Sequence, residues 1–254
     1  GLTELCRIDY RPSGFYAANG AELLLSSPAE SIDARAHKVV SGGKEHIYDK
    51  LLIATGSSPV VPPTEGYDGV ERKFTFNKLS DALALEKAVD KSTRVLIVGA
   101  GLTGLKAAEG LYARAGHITV VDMADRVLPA VTDAESSGMI RRHLERKGIE
   151  FRLSDRVEKY CDGYALLHGG EEIDFDVLVT AVGVRPNTSL AESIGCVCEC
   201  TGSDGRRYRG IVTGSDGSTN VEDVYAAGDC SLTYDVTRGE IRPVFIQPNA
   251  YMQG

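Results

Sequence analysis

The chain has 254 residues, enough for two ordinary domains with a core each. Hydrophobic residues make up 43% of it and charged residues 25%, a globular balance that excludes a disordered or fibrous chain. The net charge of −8, with no block of Lys/Arg against it, argues against nucleic acid and anionic membrane as partners.

No apolar run approaches the ~18 residues that span a bilayer. Glu4, Arg7 and Asp9 leave no apolar signal-peptide core, so a cytoplasmic protein is expected. The first patterned passage, "HKVVSGGKEHIYDKLLIATGSSP", carries a Gly-Gly turn and a buried apolar run before Ala54-Thr55-Gly56. It takes its meaning from a later twin.

The next element is the most informative. Val95 to Val98 is a continuous apolar run, the mark of a strand covered on both faces. Gly99, Gly101 and Gly104 then fit G-x-G-x-x-G, and Leu105, Ala108 and Leu111 continue at helical spacing towards Gly116, read as a C-cap. Ile118 to Val121 form a second apolar strand that ends in Asp122. Gly99 allows a tight turn, Gly101 admits a pyrophosphate against bare backbone, and Gly104 lets helix and strand pack closely. The helix start, Leu102-Thr103, offers free N–H groups for the phosphates, with Ala100 in the turn. Strand, glycines, helix, second strand and terminal acid in this order specify a dinucleotide site far better than glycines alone.

Thr132 to Glu135 reads as a capping box opening a helix that runs to Lys147, where Gly148 stops it. Ile149, Phe151 and Leu153 alternate as a strand. The passage "YALLHGGEEIDFDVLVTAVGVRP" predicts a hairpin turning at Gly169-Gly170 and a buried strand from Val177 to Thr180. It matches the early passage at a fixed offset: Gly42 and Gly169, Asp49 and Asp176, Ala54 and Ala181, Gly56 and Gly183, Pro59 and Pro186 all differ by 127. "AANGAELLL" likewise echoes "ERKGIEFRL". The chain is an internal repeat of one plan. By subtraction, a fingerprint belonging to the first half falls before Gly1, so the chain is expected to begin inside a domain.

Cys196, Cys198 and Cys200 alternate, which puts them on one face of a strand. Cys6, Cys161 and Cys230 stand alone, and no zinc-type spacing is present, so reduced structural thiols and no metal are expected. The Gly-Ser-Asp-Gly runs at 202–205 and 214–217 read as turns. Finally, "STNVEDVYAAGDC" is a turn, a short strand and small residues ending in Gly228-Asp229. Taken alone it fits either a plain tight turn or a place where backbone meets a flat ligand and a carboxylate accepts a sugar hydroxyl.

The succession "YDKLLIATGSSPVVPP", "VLIVGAGLTGLKAAEGL", "VDMADRVLP", "FDVLVTAVGVRPNT" and "TNVEDVYAAGDC" resembles the FAD- and NAD(P)-dependent pyridine nucleotide–disulfide oxidoreductases, in the branch of NADH oxidases, rubredoxin reductases and nitrite reductase. The resemblance covers residues 13–254. It implies an α/β fold of Rossmann-like parallel sheets with three-stranded β-meanders, in which an NAD(P)H domain at 93–209 is inserted in a partial FAD domain at 1–92 and 210–254. It implies FAD contacts from Ala54, Thr55, Gly56, Gly228 and Asp229. The nicotinamide dinucleotide falls to Gly99, Ala100, Gly101, Leu102, Thr103, Gly104, Asp122 and Gly183.

Asp122 would accept ribose hydroxyls and repel a 2′-phosphate, so NADH is expected over NADPH. Lys106 stands where similar sequences have Glu, and no redox cysteine motif or catalytic residue is visible. The implied reaction is hydride transfer from NADH to FAD and electrons onward to an unidentified acceptor, with a homodimer possible in the intact protein. Two alternatives stay open: a dinucleotide-binding module without turnover, and an NAD-dependent dehydrogenase without flavin.

Overall fold

The computed structural model describes residues 11–254, and Cys6 lies outside them. They form two compact units, one of 11–54 with 188–254 and one of Thr55–Asn187.

In chain order the second unit holds β1 (Lys73–Thr75), α1 (Leu79–Ala88), β2 (Arg94–Val98), α2 (Leu102–Leu111), β3 (His117–Asp122) and α3 (Ala134–Glu145). There follow β4 (Ile149–Leu153), β5 (Val157–Tyr160), β6 (Tyr164–Leu167), β7 (Glu172–Asp174) and β8 (Val177–Thr180). Five of these make a parallel sheet in the order β1-β8-β2-β3-β4, and β5, β6 and β7 make an antiparallel meander.

The unbroken apolar run of β2 follows from burial on both faces. Ile97, fully buried, packs in one cluster with Leu105, Ala108 and Leu111 of α2. Leu96, also fully buried, packs in another with Tyr160, Leu167 and Ile173 of the meander. Truncating either to Ala would cost about 2–5 kcal/mol through lost transfer energy and the cavity left behind. At the entrance of β2, Asp176 grips Arg94 three times: Oδ2 accepts from the backbone N–H at 2.7 Å and from Nε at 3.2 Å, and Oδ1 accepts from the guanidinium at 2.8 Å.

Two local expectations change. The helix after the glycines ends at Leu111, and 112–114 turn instead. Gly116 is required for a different reason: a Cβ there would sit 2.5 Å from the Lys91 carbonyl oxygen. The cap of α3 is Asp133, not Thr132: its carboxylate accepts the Ser136 N–H at 2.7 Å, while the Thr132 hydroxyl donates to the Leu128 carbonyl.

The first unit carries a second meander, Ala29–Asp33, Lys38–Ser41 and Lys44–Ile47, and a parallel pair, Leu51–Ile53 with Val224–Ala226. Adding 127 lays the meander strands on β5, β6 and β7 within about one residue, and Leu51–Ile53 on the end of β8. Ser57–Pro59 maps onto Val184–Pro186, the strand with which it pairs antiparallel. That pairing and the bonding of Lys73–Thr75 to β8 put 55–92 in the second unit, where sequence placed a boundary at 92. Residues 188–209 fall in the first unit, whose core joins Cys196 and Cys198 to Ile53 and Val224.

Candidate dinucleotide site

At the carboxyl ends of β2, β3 and β8 the second unit opens a cavity of about 680 Å³. That lies inside the range of ~300–1,000 Å³ usual for small-molecule and cofactor sites. Gly99, Gly101, Leu102, Thr103, Asp122 and Gly183 all line it. The fold thus gathers six of the eight residues expected to hold a nicotinamide dinucleotide.

The three glycines divide their work by geometry. Gly99 has φ +114°, and a Cβ there would lie 2.2 Å from the Ala181 carbonyl oxygen. At Gly104 a Cβ would meet the Gly99 carbonyl oxygen at 1.9 Å, so α2 rests directly on the turn. Gly101 differs: its backbone is extended, at φ −78° and ψ −175°, and a Cβ would meet nothing within 4 Å. It is the one fingerprint glycine whose missing side chain leaves room for a ligand. No side chain caps α2, so the N–H groups of its first turn, which no helical carbonyl can satisfy, begin at the cavity residues Leu102 and Thr103. An open backbone approach joined to an uncapped helix start is the chemistry a pyrophosphate needs, so these residues fit the group.

Asp122 has a second task that the sequence did not announce. Its Oδ2 accepts the Ala100 N–H at 2.6 Å and its Oδ1 accepts the Ala124 N–H at 2.8 Å. The carboxylate therefore ties the glycine turn to the loop after β3, and each oxygen keeps a lone pair for a hydroxyl. Ala100, fully buried, contributes through that N–H and not by lining the cavity. Gly183 borders the cavity at φ +116° with open space before it.

Other lining residues carried no sequence motif: Asp155, Arg156, Glu158 and Tyr160 come from the loop after β4 and from the meander, while Met123 follows Asp122 within VDMADRVLP. Burial, reinforced by neighbouring Tyr67, raises the Tyr160 phenol well above its ordinary value, so it stays protonated and is no base. Lys106 points its ammonium at Glu109, 2.7 Å away on the same helix.

The flavin expectations fall on strand ends. Ala54 follows Leu51–Ile53, and Gly228 and Asp229 follow Val224–Ala226; the Ala227 N–H donates to the Ile53 carbonyl at 3.1 Å. Gly228 has φ +77°, and its N–H donates to Gln253 Oε1 at 2.8 Å. Within the second unit, the Thr55 hydroxyl donates to the Asn187 carbonyl at 2.6 Å, and the Gly56 carbonyl accepts the Asn187 N–H at 3.0 Å. Burial pushes the Cys198 thiol up to about 11.

This sheet, with its glycine turn, helix start and strand-end acid, defines a dinucleotide-binding oxidoreductase fold. The chain belongs to the pyridine nucleotide-disulphide oxidoreductase family, whose model matches residues 13–254. It is 31% identical over 243 residues to an NADH oxidase of Methanocaldococcus jannaschii, which covers 92% of this chain and 52% of that protein. It is 35% identical over 222 residues to a nitric oxide reductase FlRd-NAD(+) reductase of Enterobacter, across 85% of this chain and 54% of that one. Among solved structures, a ferredoxin reductase from Rhodopseudomonas palustris superposes with a TM-score of 0.86 at 26% identity, covering 96% of this chain and 59% of that one. The chain spans about half the length of the curated relatives it matches.

Proposed function

We propose that the intact protein is a flavin-dependent oxidoreductase that takes hydride from NADH and passes electrons to a separate acceptor, and that the chain described here contributes the NADH site. The observation that carries this reading is the cavity where Gly101, the uncapped start of α2 and Asp122 meet. Gly101 and the first N–H groups of α2 bind the pyrophosphate. Asp122 orients the adenosine ribose, and Gly183 leaves the far part of the cavity open for the nicotinamide ring.

A bound flavin supplies the hydride acceptor and the one- or two-electron chemistry that follows. The flavin contacts that the resemblance implies in the first unit are Ala54 after one strand of its parallel pair and Gly228 and Asp229 after the other. The relatives' names, NADH oxidase and FlRd-NAD(+) reductase, suggest oxygen or an iron-containing carrier protein as the acceptor.

The sequence carries one G-x-G-x-x-G fingerprint, at 99–104. Charge-assisted hydrogen bonds contribute ~1.5–3 kcal/mol each, so a flavin pyrophosphate without such a turn is bound several orders of magnitude more weakly. A polypeptide of these 254 residues is therefore expected to bind NADH, purify without flavin colour and show no NADH-driven reductase activity. Titration of the purified chain with NADH, followed by cofactor fluorescence and visible absorption, tests both parts. Absence of saturable NADH binding overturns the site, and near-stoichiometric flavin absorption overturns the division of labour.

A further inference from the structure

We infer that Arg156 is a specificity-determining residue that stacks its guanidinium on the adenine base of the dinucleotide, opposite Met123. The inference rests on the proposal that the cavity takes NADH.

The loop after β4 is fastened to the loop after β3 by two backbone bonds: the Ser154 N–H donates to the Ala124 carbonyl at 2.9 Å and the Asp155 N–H to the Asp122 carbonyl at 3.1 Å. Arg156 and Met123, which flank these bonds, both line the cavity beside Asp122. Met123 is 72% exposed, an apolar side chain with one side open. If Asp122 holds the adenosine ribose, the cavity-lining side chains beside Asp122, on its own loop and across on the bonded one, are the first that the attached base meets.

Arg156 is suited to meet it. Its backbone is fixed on both sides, the N–H donating to Asp155 Oδ1 at 2.7 Å and the carbonyl accepting the His168 N–H at 2.9 Å. Its guanidinium has no carboxylate partner within 4.0 Å among the described residues, unlike Arg126 and Arg152 close by. Among the described residues its one side-chain hydrogen bond is 3.3 Å to His168 Nδ1, and that nitrogen also lies 2.9 Å from Glu158 Oε2. A proton on Nδ1 serves Glu158 and leaves nothing to accept from Arg156. The guanidinium is thus a flat, exposed cation with a weak and contested tether. Such a group gains by lying on the face of an aromatic base.

The test is binding of NADH, NADPH and ADP-ribose to wild type, Arg156→Ala and Arg156→Lys by calorimetry. ADP-ribose carries the adenosine and pyrophosphate without the nicotinamide. Stacking predicts that Arg156→Ala weakens NADH and ADP-ribose by the same factor, about fivefold or more, and that Lys does not restore the loss. An unchanged NADH affinity in Arg156→Ala overturns the inference while leaving the NADH site intact. So does a loss confined to NADH, or full rescue by Lys, or a markedly larger loss for NADPH, which would make Arg156 a phosphate ligand. Failure of wild type to bind NADH removes the reading beneath and this inference with it. Arg156 is exposed, so both variants are expected to keep the wild-type melting temperature.

Discussion

Replacing Gly99 and Gly101 in turn by Val separates folding from binding within one fingerprint. At Gly99 the φ of +114° is closed to a β-branched residue, and the first side-chain carbon alone would overlap the Ala181 oxygen at 2.2 Å. Strain and overpacking together cost about 3 kcal/mol or more. In a chain of this size that lowers the melting temperature by roughly 6–12 °C. At Gly101 the backbone is already extended and the space ahead is open, so the cost to the fold is limited to a poorer helix N-cap, about 1 kcal/mol.

On the proposed function, the same isopropyl group would occupy the space through which a pyrophosphate reaches the Leu102 and Thr103 N–H groups, which line the same cavity. Loss of two charge-assisted hydrogen bonds is worth about 3–6 kcal/mol, or two to four orders of magnitude in Kd. Differential scanning calorimetry and NADH fluorescence titration on both variants make the comparison. Gly101→Val that stays folded and binds NADH within threefold of wild type would refute the pyrophosphate assignment.

Four further outcomes follow from other parts of the molecule. If Asp122 holds the adenosine ribose, its carboxylate repels a 2′-phosphate, and NADH is expected to be preferred over NADPH by about tenfold or more; Asp122→Ser should narrow the ratio, and equal affinities in wild type contradict the ribose assignment. Asp176→Asn weakens the grip on Arg94 by about 1–2 kcal/mol, read as a lower urea midpoint at neutral pH. The Arg94 guanidinium holds the Asp176 carboxyl below its ordinary value, so its contribution is complete above the unfolded carboxylate range, near pH 4, and fades as pH falls below it. The gap between wild type and variant should therefore be constant above about pH 5 and close under acid.

Cys198, 9% exposed with its thiol raised to about 11, stays unalkylated at pH 8 until denaturant is added, as mass spectrometry of the peptides would show. Metal analysis of the purified chain should find no stoichiometric zinc or iron; one ion per molecule, lost in Cys198→Ser, would contradict the reading of the cysteines as structural thiols.

The sequence was most legible where chemistry constrains backbone. Gly99 and Gly104 are required by a turn and a helix contact, and each requirement reappears as a φ value or a Cβ distance, whereas at Gly101 a Cβ would meet nothing within 4 Å. The repeat was legible because shared turns keep Gly42 and Gly169, or Gly56 and Gly183, in register. Helix ends were less so: Tyr112 to Ala115 have ordinary helical composition, and only the approach of Gly116 to Lys91 shows why the chain turns there. Arg156 was illegible because it lines the cavity from a loop bonded across to the one after β3, which no local pattern encodes. The second role of Asp122 was hidden likewise, since an acid at a strand end looks the same whether or not it binds the preceding turn.

A crystal structure of the chain with NADH tests most directly whether the cavity above β2, β3 and β8 is the NADH site. Pyrophosphate oxygens are expected against Gly101 and the Leu102 and Thr103 N–H groups, with the adenosine ribose on Asp122. Density for NADH elsewhere, or in this cavity with the pyrophosphate away from the start of α2, would contradict it.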